Sequence, residues 1–478
     1  MSNTIEVRNP RTGKYDCVIV PPPAKLLARQ CQRLRRAQVL WSSLGLEGRI
    51  EALQQWKKAV ISGREKLTEA LIADTGCLSM SIFEIDSFLI NIDKWCNLAP
   101  KMLRESERDT AIPSIKLQQT ASPLPLVCVI SPWNFPFLLS TIDTIPALLA
   151  GCAVVVKPSE IAPRFMAPLL AIINTIPRLR DVLAFVEGGE ETGLFLLECV
   201  DLVCFEGNLE TGRNIAEIGA QEFIPVFLEL GGKDPAIVLE SADLDLATSA
   251  ILWGAVVNSG QSHNSIERIY VAEPIFTEFY HQLVAKAQRL QLAHPTIDSG
   301  ELGPIIAETQ AEVIADHLRE AKELGATIHC GGEVEKIDGG WWCRPTVLTS
   351  VDHSMKVMTE ETFGPIMPIM AFTSVEEAVN LANDSIYGLG AAVFADSETE
   401  AVALAQRIDA SAISINDASL AITISEGEKN AFKFSGIGAS RTGGTALTRF
   451  LRKQALFVKT KSVPDPWWFD NKGVGSRE

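Results

Sequence analysis

The sequence predicts an α/β protein built on largely parallel sheets, and three observations carry that prediction. Continuous apolar runs of β-branched type, such as LPLVCVISP (124–132) and CAVVVK (152–157), read as strands buried on both faces. Helix-like stretches of ten or so residues separate them, as in βαβ units. The same alternation returns in the second half, so 478 residues divide into two α/β domains of comparable size.

Taken in order, residues 24–62 and 64–103 place Leu, Ala, Val and Trp at helical spacing, so the first hundred residues read as helices. The strand 124–132 follows, then one helix-like run (FLLSTIDTIPALLAG) and the strand 152–157. Next come helix 162–176, strand 181–188, helix 191–199, strand 201–207, helix 210–220 and strand 225–230. The second half opens with strand 236–239, helix 243–257, strand 268–273 and helix 275–290. It closes with strands 391–395 and 412–416 around helix 398–408. The stretches 107–123 and 455–465 look extended and belong to neither sheet. Exposed strands of this kind often pair with another subunit.

Composition narrows the function classes. The apolar fraction of 47% and charged fraction of 21% are those of an ordinary globular protein. A formal charge of -16 argues against nucleic acid or an anionic membrane as the main partner. The cysteines are scattered without a CxxC pair or Cys/His spacing, so no metal site or disulfide framework is expected and a cytoplasmic setting is. The N-terminus shows no apolar signal segment, and the run Ile145 to Val156 is too short to span a bilayer.

Several short segments sit where chemistry is done in such sheets, at the carboxyl ends of strands. VVVKPSE (154–160) offers Lys157 and Glu160 for ribose hydroxyls, or merely a solvated turn. FEGNLETGR (205–213) offers Gly207 and Gly212 ahead of a helix N-terminus, which suits a phosphate. LELGGKDP (228–235) ends a strand on Glu229, placed as a general base or simply as a strand-end charge. SPWNFPF (131–137) offers Asn134 as an amide donor to a developing oxyanion. EETFGP (360–365) offers Glu361 and Phe363, and NSGQSHNSIER (258–268) places His263 in a polar turn.

Together these segments resemble the aldehyde dehydrogenase superfamily. SPWNFP, VVKPSE, FEGNLETGR, LELGGK, NSGQS, EETFGP, NDSIYGLGAAVF and FKFSGIGASRTG occur in the family's order and approximate spacing, essentially along the whole chain. The resemblance implies a Rossmann-type NAD-binding domain (1–106 and 124–231), an α/β catalytic domain (232–446) and a small β oligomerisation element (107–123 and 447–478). It implies NAD(P)-dependent oxidation of an aldehyde to its acid through a cysteine thiolate, by a homodimer or homotetramer. Asn134 then matches the oxyanion amide and Glu229 the general base. Lys157, Glu160, Gly207, Gly212, Ser131, Trp133, Leu230, Glu361 and Phe363 match the cofactor site. Phe135, Leu138, Leu139 and Ile142 match the aldehyde tunnel, whose apolar character favours aliphatic or aromatic aldehydes. The segment 425–432 supplies another wall, and its Lys429 keeps an acidic semialdehyde substrate open. Glu160 should repel a 2′-phosphate, which favours NAD over NADP.

Two departures stand out. Thr-Gly-Ser of the family reads Glu206-Gly207-Asn208, an extra carboxylate unhelpful near a pyrophosphate. Gly-Gln-x-Cys reads Gly260-Gln261-Ser262-His263, so the nucleophile position holds an imidazole. Thiol-dependent activity is therefore expected to be small. A slow route remains, with Glu229 deprotonating an aldehyde hydrate. His263 is compatible with a deliberate substitution, a natural loss that leaves an NAD-binding pseudoenzyme, or a new catalytic role. Retention of Glu229, Asn134 and the ribose contacts favours the first.

Overall fold

Two parallel-rich sheets of six and seven strands emerge from the strand–helix alternation in the computed structural model, which describes residues 4–104 and 106–461. The first sheet runs Gly436–Ile437, Val226–Glu229, Leu202–Glu206, Leu126–Ser131, Ala153–Pro158, Leu183–Phe185. All its neighbours are parallel except Gly436–Ile437, a short antiparallel edge contributed from far along the chain. The central strands are buried at every position, which explains their unbroken apolar sequence. Helices Ala24–Ser43, Gly45–Ser62, Arg64–Thr75 and Leu78–Met102 share that core, with Trp41, Trp56 and Phe88 packed in one cluster with Val127 and Val155.

The second sheet runs Thr327–Cys330, Thr346–Thr349, Ile366–Phe372, Ile266–Ala272, Asp234–Val238, Gly390–Phe394, Ala412–Ile415. Its central strands alternate between two cores, as period-two geometry requires. Ala236, Val238, Ile269, Val271, Ala392 and Phe394 enter one cluster, while Ile237, Tyr270 and Val393 enter the other.

Two sequence expectations are corrected. The first hundred residues also hold an antiparallel hairpin, Ile5–Arg8 with Tyr15–Ile19, around a turn marked by Pro10 and Gly13. The run after Asn134 is two helices, Pro136–Ile142 and Thr144–Ala150, because Pro146 has no N–H to bond the Ile142 carbonyl; Asp143 between them is held by two arginines. The two extended segments pair with each other: Ile115–Pro123 lies antiparallel to Leu451–Lys459, with Ser106–Asp109 on the other side. The expected 447–478 segment runs past residue 461, outside the described residues.

Candidate active site

The carboxyl ends of the first sheet gather most of the predicted side chains. Parallel register sets Glu206 beside Glu229 and Pro158 beside Ser131, so LELGGK, FEGN, KPSE and SPWN converge by strand pairing alone. Two cavities open there. Asn134, Glu206 and His263 line both.

The first cavity, about 420 Å³, is lined by Ser131, Trp133, Lys157, Glu160, Gly207, Glu361 and Phe363 among others. Lys157 Nζ donates to Glu160 Oε2 at 2.9 Å, and the rings of Trp133 and Phe363 meet edge to face at 5.5 Å. Burial pushes the Glu361 carboxyl up to about 7, with Glu267 adding to the rise and the Gly232 N–H opposing it. Glu361 Oε1 accepts from that N–H at 3.0 Å. Glu267 in turn accepts the Thr362 and Phe363 amides, both at 2.7 Å, so this carboxylate fixes the turn that carries Glu361. Gly212 and Leu230 fall outside the expected cofactor surface. A Cβ at Gly212 would meet Leu230 at 2.5 Å, so this glycine serves helix-to-strand packing. Gly207 does line the cavity.

The second cavity, about 450 Å³, takes Phe135, Leu138, Leu139 and Ile142 on one wall, as the sequence predicts. Phe83, Trp95, Trp253 and Ile422 complete an apolar lining that sequence order gave no reason to expect. Glu229 enters it, and so do Ser425, Glu426, Lys429 and Lys94. Lys94 hydrogen-bonds Ser425, sits 4.1 Å from the centre of the Trp95 ring, and has its pKa lowered by burial.

His263 is presented by a constrained turn. Asn258, Ser259 and Gly260 adopt left-handed φ of 52°, 57° and 73° in succession, a costly arrangement for two non-glycine residues. Side chains hold it. Asn258 Nδ2 donates to the Asn134 carbonyl at 2.9 Å and Ser259 Oγ to the Gly303 carbonyl at 2.7 Å. Gln261 bonds three backbone groups, from Asn258, Pro304 and Ile306. Asn134 Nδ2 donates to the Gln261 carbonyl at 3.0 Å, which ties the amide to the histidine turn. Gly232 backs onto the same turn, since a Cβ there would lie 2.2 Å from the His263 carbonyl oxygen. The second glycine of LELGGK is thus required by the His263 backbone.

The two sequence departures touch. His263 Nδ1 lies 3.1 Å from Glu206 Oε1 as an ion pair, too oblique for an aligned hydrogen bond. Glu206 Oε2 also takes Arg441 at 2.5 Å, Arg441 reaches Asp143 at 3.0 Å, and Arg449 bonds the other oxygen of Asp143. Burial would raise the Glu206 carboxyl, but Arg441 and then His263 outweigh it and hold it at about 2. Burial would lower the His263 imidazole, yet Glu206 and Glu229 raise it. The carboxylate expected to disturb a pyrophosphate is therefore neutralised from behind. Sequence reasoning singled out Glu206 and quoted the segment with Arg441, but nothing in order or spacing linked them to Asp143 and Arg449.

The chain matches the aldehyde dehydrogenase family over residues 1–461. It is 35% identical to the 4,4'-diapolycopene aldehyde oxidase of Methylomonas sp, covering 95% of this chain and 86% of that protein. Among solved structures it resembles PutA of Anabaena variabilis, provisionally named an aldehyde dehydrogenase, at 68% identity and a TM-score of 0.97. That likeness covers 98% of this chain and 100% of the other. It also resembles the betaine aldehyde dehydrogenase of Staphylococcus aureus in complex with NAD+, at 30% identity and a TM-score of 0.90, covering 98% and 93%.

Proposed function

Because the chain belongs to the aldehyde dehydrogenase family, we propose that it holds NAD in the first cavity and an apolar aldehyde in the second, with thiol-dependent oxidation suppressed by His263. The observation that carries this reading is the position of His263, at the wall shared by both cavities. The dinucleotide, when bound, supplies a hydride acceptor. Lys157 and Glu160 would hold its adenosine ribose and Glu361 its nicotinamide ribose. The turn at Gly207 opens the helix Leu209–Gln221, whose N-terminus favours a pyrophosphate. Glu160 and the neighbouring Glu190 oppose a 2′-phosphate, which supports NAD over NADP. Asn134 would donate to the substrate oxygen, and Glu229 would accept a proton from water.

The apolar walls of the second cavity support aliphatic or aromatic aldehydes. Lys94 and Lys429 favour a second reading, an acidic semialdehyde, but Lys94 is stacked on Trp95 and disfavoured as a cation by burial. The contact between Glu206 and His263 supports a native, matched pair over a single introduced exchange. Scattered free thiols support a cytoplasmic setting, and the strand pair at 115–123 and 451–459 supports a homo-oligomer.

Calorimetric titration with NAD and NADP, followed by NADH absorbance with hexanal, benzaldehyde and succinate semialdehyde, tests the reading. Tight NAD binding with little turnover is expected. Absence of NAD binding, or rapid turnover with His263 in place, would overturn it. An NAD-binding protein without catalytic history is distinguished by restoring the thiol, as described below.

A further inference from the structure

We propose that a further cavity, at the amino ends of the first sheet's strands, is a binding site for a small organic phosphate ester. It has a volume of about 300 Å³ and shares no lining residue with the two cavities at the opposite ends. Pro123 and Ala150 place it there, just ahead of strands Leu126–Ser131 and Ala153–Pro158. Arg49, Arg104 and Lys453 line it, and no carboxylate among the described residues does. Three cations gathered without a counter-charge are unexpected in a chain whose formal charge is -16.

Arg49 is the least ordinary of the three. Its side chain, on helix Gly45–Ser62, is buried at 8% exposure. Nε donates to the Leu149 carbonyl at 2.9 Å and Nη1 to the Ser42 carbonyl at 3.1 Å, while Nη2 donates to no described residue. Burial lowers its pKa, and the group opposing that shift is the Cys152 thiol rather than a carboxylate. A buried guanidinium without a counter-ion is costly, and an anion in contact with it offsets that cost. Phosphate suits it, because the planar guanidinium can meet two phosphate oxygens at once. At the rim, Arg104 Nε donates to the Pro100 carbonyl at 3.1 Å, which leaves its Nη groups without a described partner, and Lys453 makes no ion pair among the described residues. Met102, Leu103 and Leu451 give the cavity an apolar wall that a bare phosphate would leave unused. An ester uses both surfaces, with its phosphate against the cations and its organic group against that wall. The site joins helix Gly45–Ser62, the end of helix Leu78–Met102 and strand Leu451–Lys459, so a bound ester would tie the paired strands to the first core.

The test uses the full chain at constant ionic strength, because salt screens such contacts. Excess NAD is present to fill the first cavity, whose helix N-terminus also suits a phosphate. Calorimetric titration with glycerol 3-phosphate is expected to show a single site per chain. Inorganic phosphate should bind more weakly, and glycerol and chloride not at all. Affinity should fall at least about tenfold in Arg104→Gln/Lys453→Gln, as expected when hydrogen bonds to a charged group are lost. Both side chains are exposed, so the fold should survive; if the double variant melts early, Lys453→Gln alone gives the comparison. Glycerol 3-phosphate should also shield Lys453 from acetic anhydride, read by peptide mass spectrometry. No heat from the ester, equal affinity in wild type and rim variants, or an unshielded Lys453 overturns the proposal, as does inorganic phosphate binding as tightly as the ester. The rim variants locate the anion even in a chain that takes no NAD, so failure here and failure of the dehydrogenase reading are separate results.

Discussion

A thiol introduced at position 263 would face the carboxylate of Glu206, whose Oε1 lies 3.1 Å from the present ring. Like charge disfavours a thiolate, so His263→Cys alone is expected to give a thiol titrating above the usual value of about 8.5. Little aldehyde-dependent NADH should form near neutrality. Adding Glu206→Thr removes the repulsion, and NADH formation should rise at least about tenfold over the single variant, equivalent to about 1.4 kcal/mol. The pH dependence of iodoacetamide alkylation reads the thiol directly. If neither variant forms NADH with any aldehyde, the dehydrogenase reading fails. Arg441 carries a different burden, being 9% exposed between Glu206 and Asp143. Arg441→Met leaves Glu206 with His263 alone and Asp143 with Arg449 alone, and urea unfolding should show a loss approaching that of a broken buried pair, about 3–5 kcal/mol. Glu361 titrates near 7 and accepts ribose hydroxyls best when ionised. NAD affinity should therefore rise from pH 6 to pH 8 in calorimetric titrations, and Glu361→Gln should flatten that rise.

Elements place these side chains by simple rules. Parallel register brings Glu206 and Glu229 side by side, and the turn after Leu126–Ser131 delivers Asn134 to the same edge. The left-handed turn at 258–260 is the exception, because it rests on contacts with Asn134, Gly303 and Pro304 rather than on local preference. Gly232→Ala tests how rigid that support is. Its Cβ would press on the His263 carbonyl oxygen, and overpacking of this kind costs about 1–3 kcal/mol. Thermal melting should drop accordingly.

For the molecule as a whole, the charged cluster ties stability to pH on both sides. The Glu206 carboxyl is depressed to about 2, so its contribution is complete above the ordinary value of about 4.3 and lost as pH falls through the lower one. The His263 imidazole is raised, so its contribution is complete below about 6.5 and lost as pH climbs through the raised value. The pair should stabilise most between roughly pH 4.5 and 6.5. Melting temperatures of wild type and His263→Ala should converge above that window. The strand Leu451–Lys459 leaves Phe457 72% exposed beside a paired edge. If the proposed homo-oligomer forms through this strand, ending the chain after Phe450 should lower the mass seen in light scattering, because that surface would be gone.

The sequence by itself determined the α/β class, the main strands of the first sheet and several of the cavity-lining residues, because buried strands must be apolar and functional groups follow their ends; the strands Thr327–Cys330, Thr346–Thr349 and Ile366–Phe372 of the second sheet were not foreseen. Asn134, Glu229, Lys157 and Glu160 were legible as cavity-lining residues for that reason, whereas Glu361 follows the short helix Lys356–Thr359. The amino-terminal hairpin was hidden by its brevity, and Gly212 and Leu230 were misread because a glycine that permits packing looks like one that admits a phosphate. Tertiary structure alone decided that Glu206 faces His263 and Arg441, and that Arg441 reaches Asp143. Charges separated by 57 to 298 positions pair only when two sheets and a distant carboxyl-terminal loop meet, and no local pattern encodes that meeting.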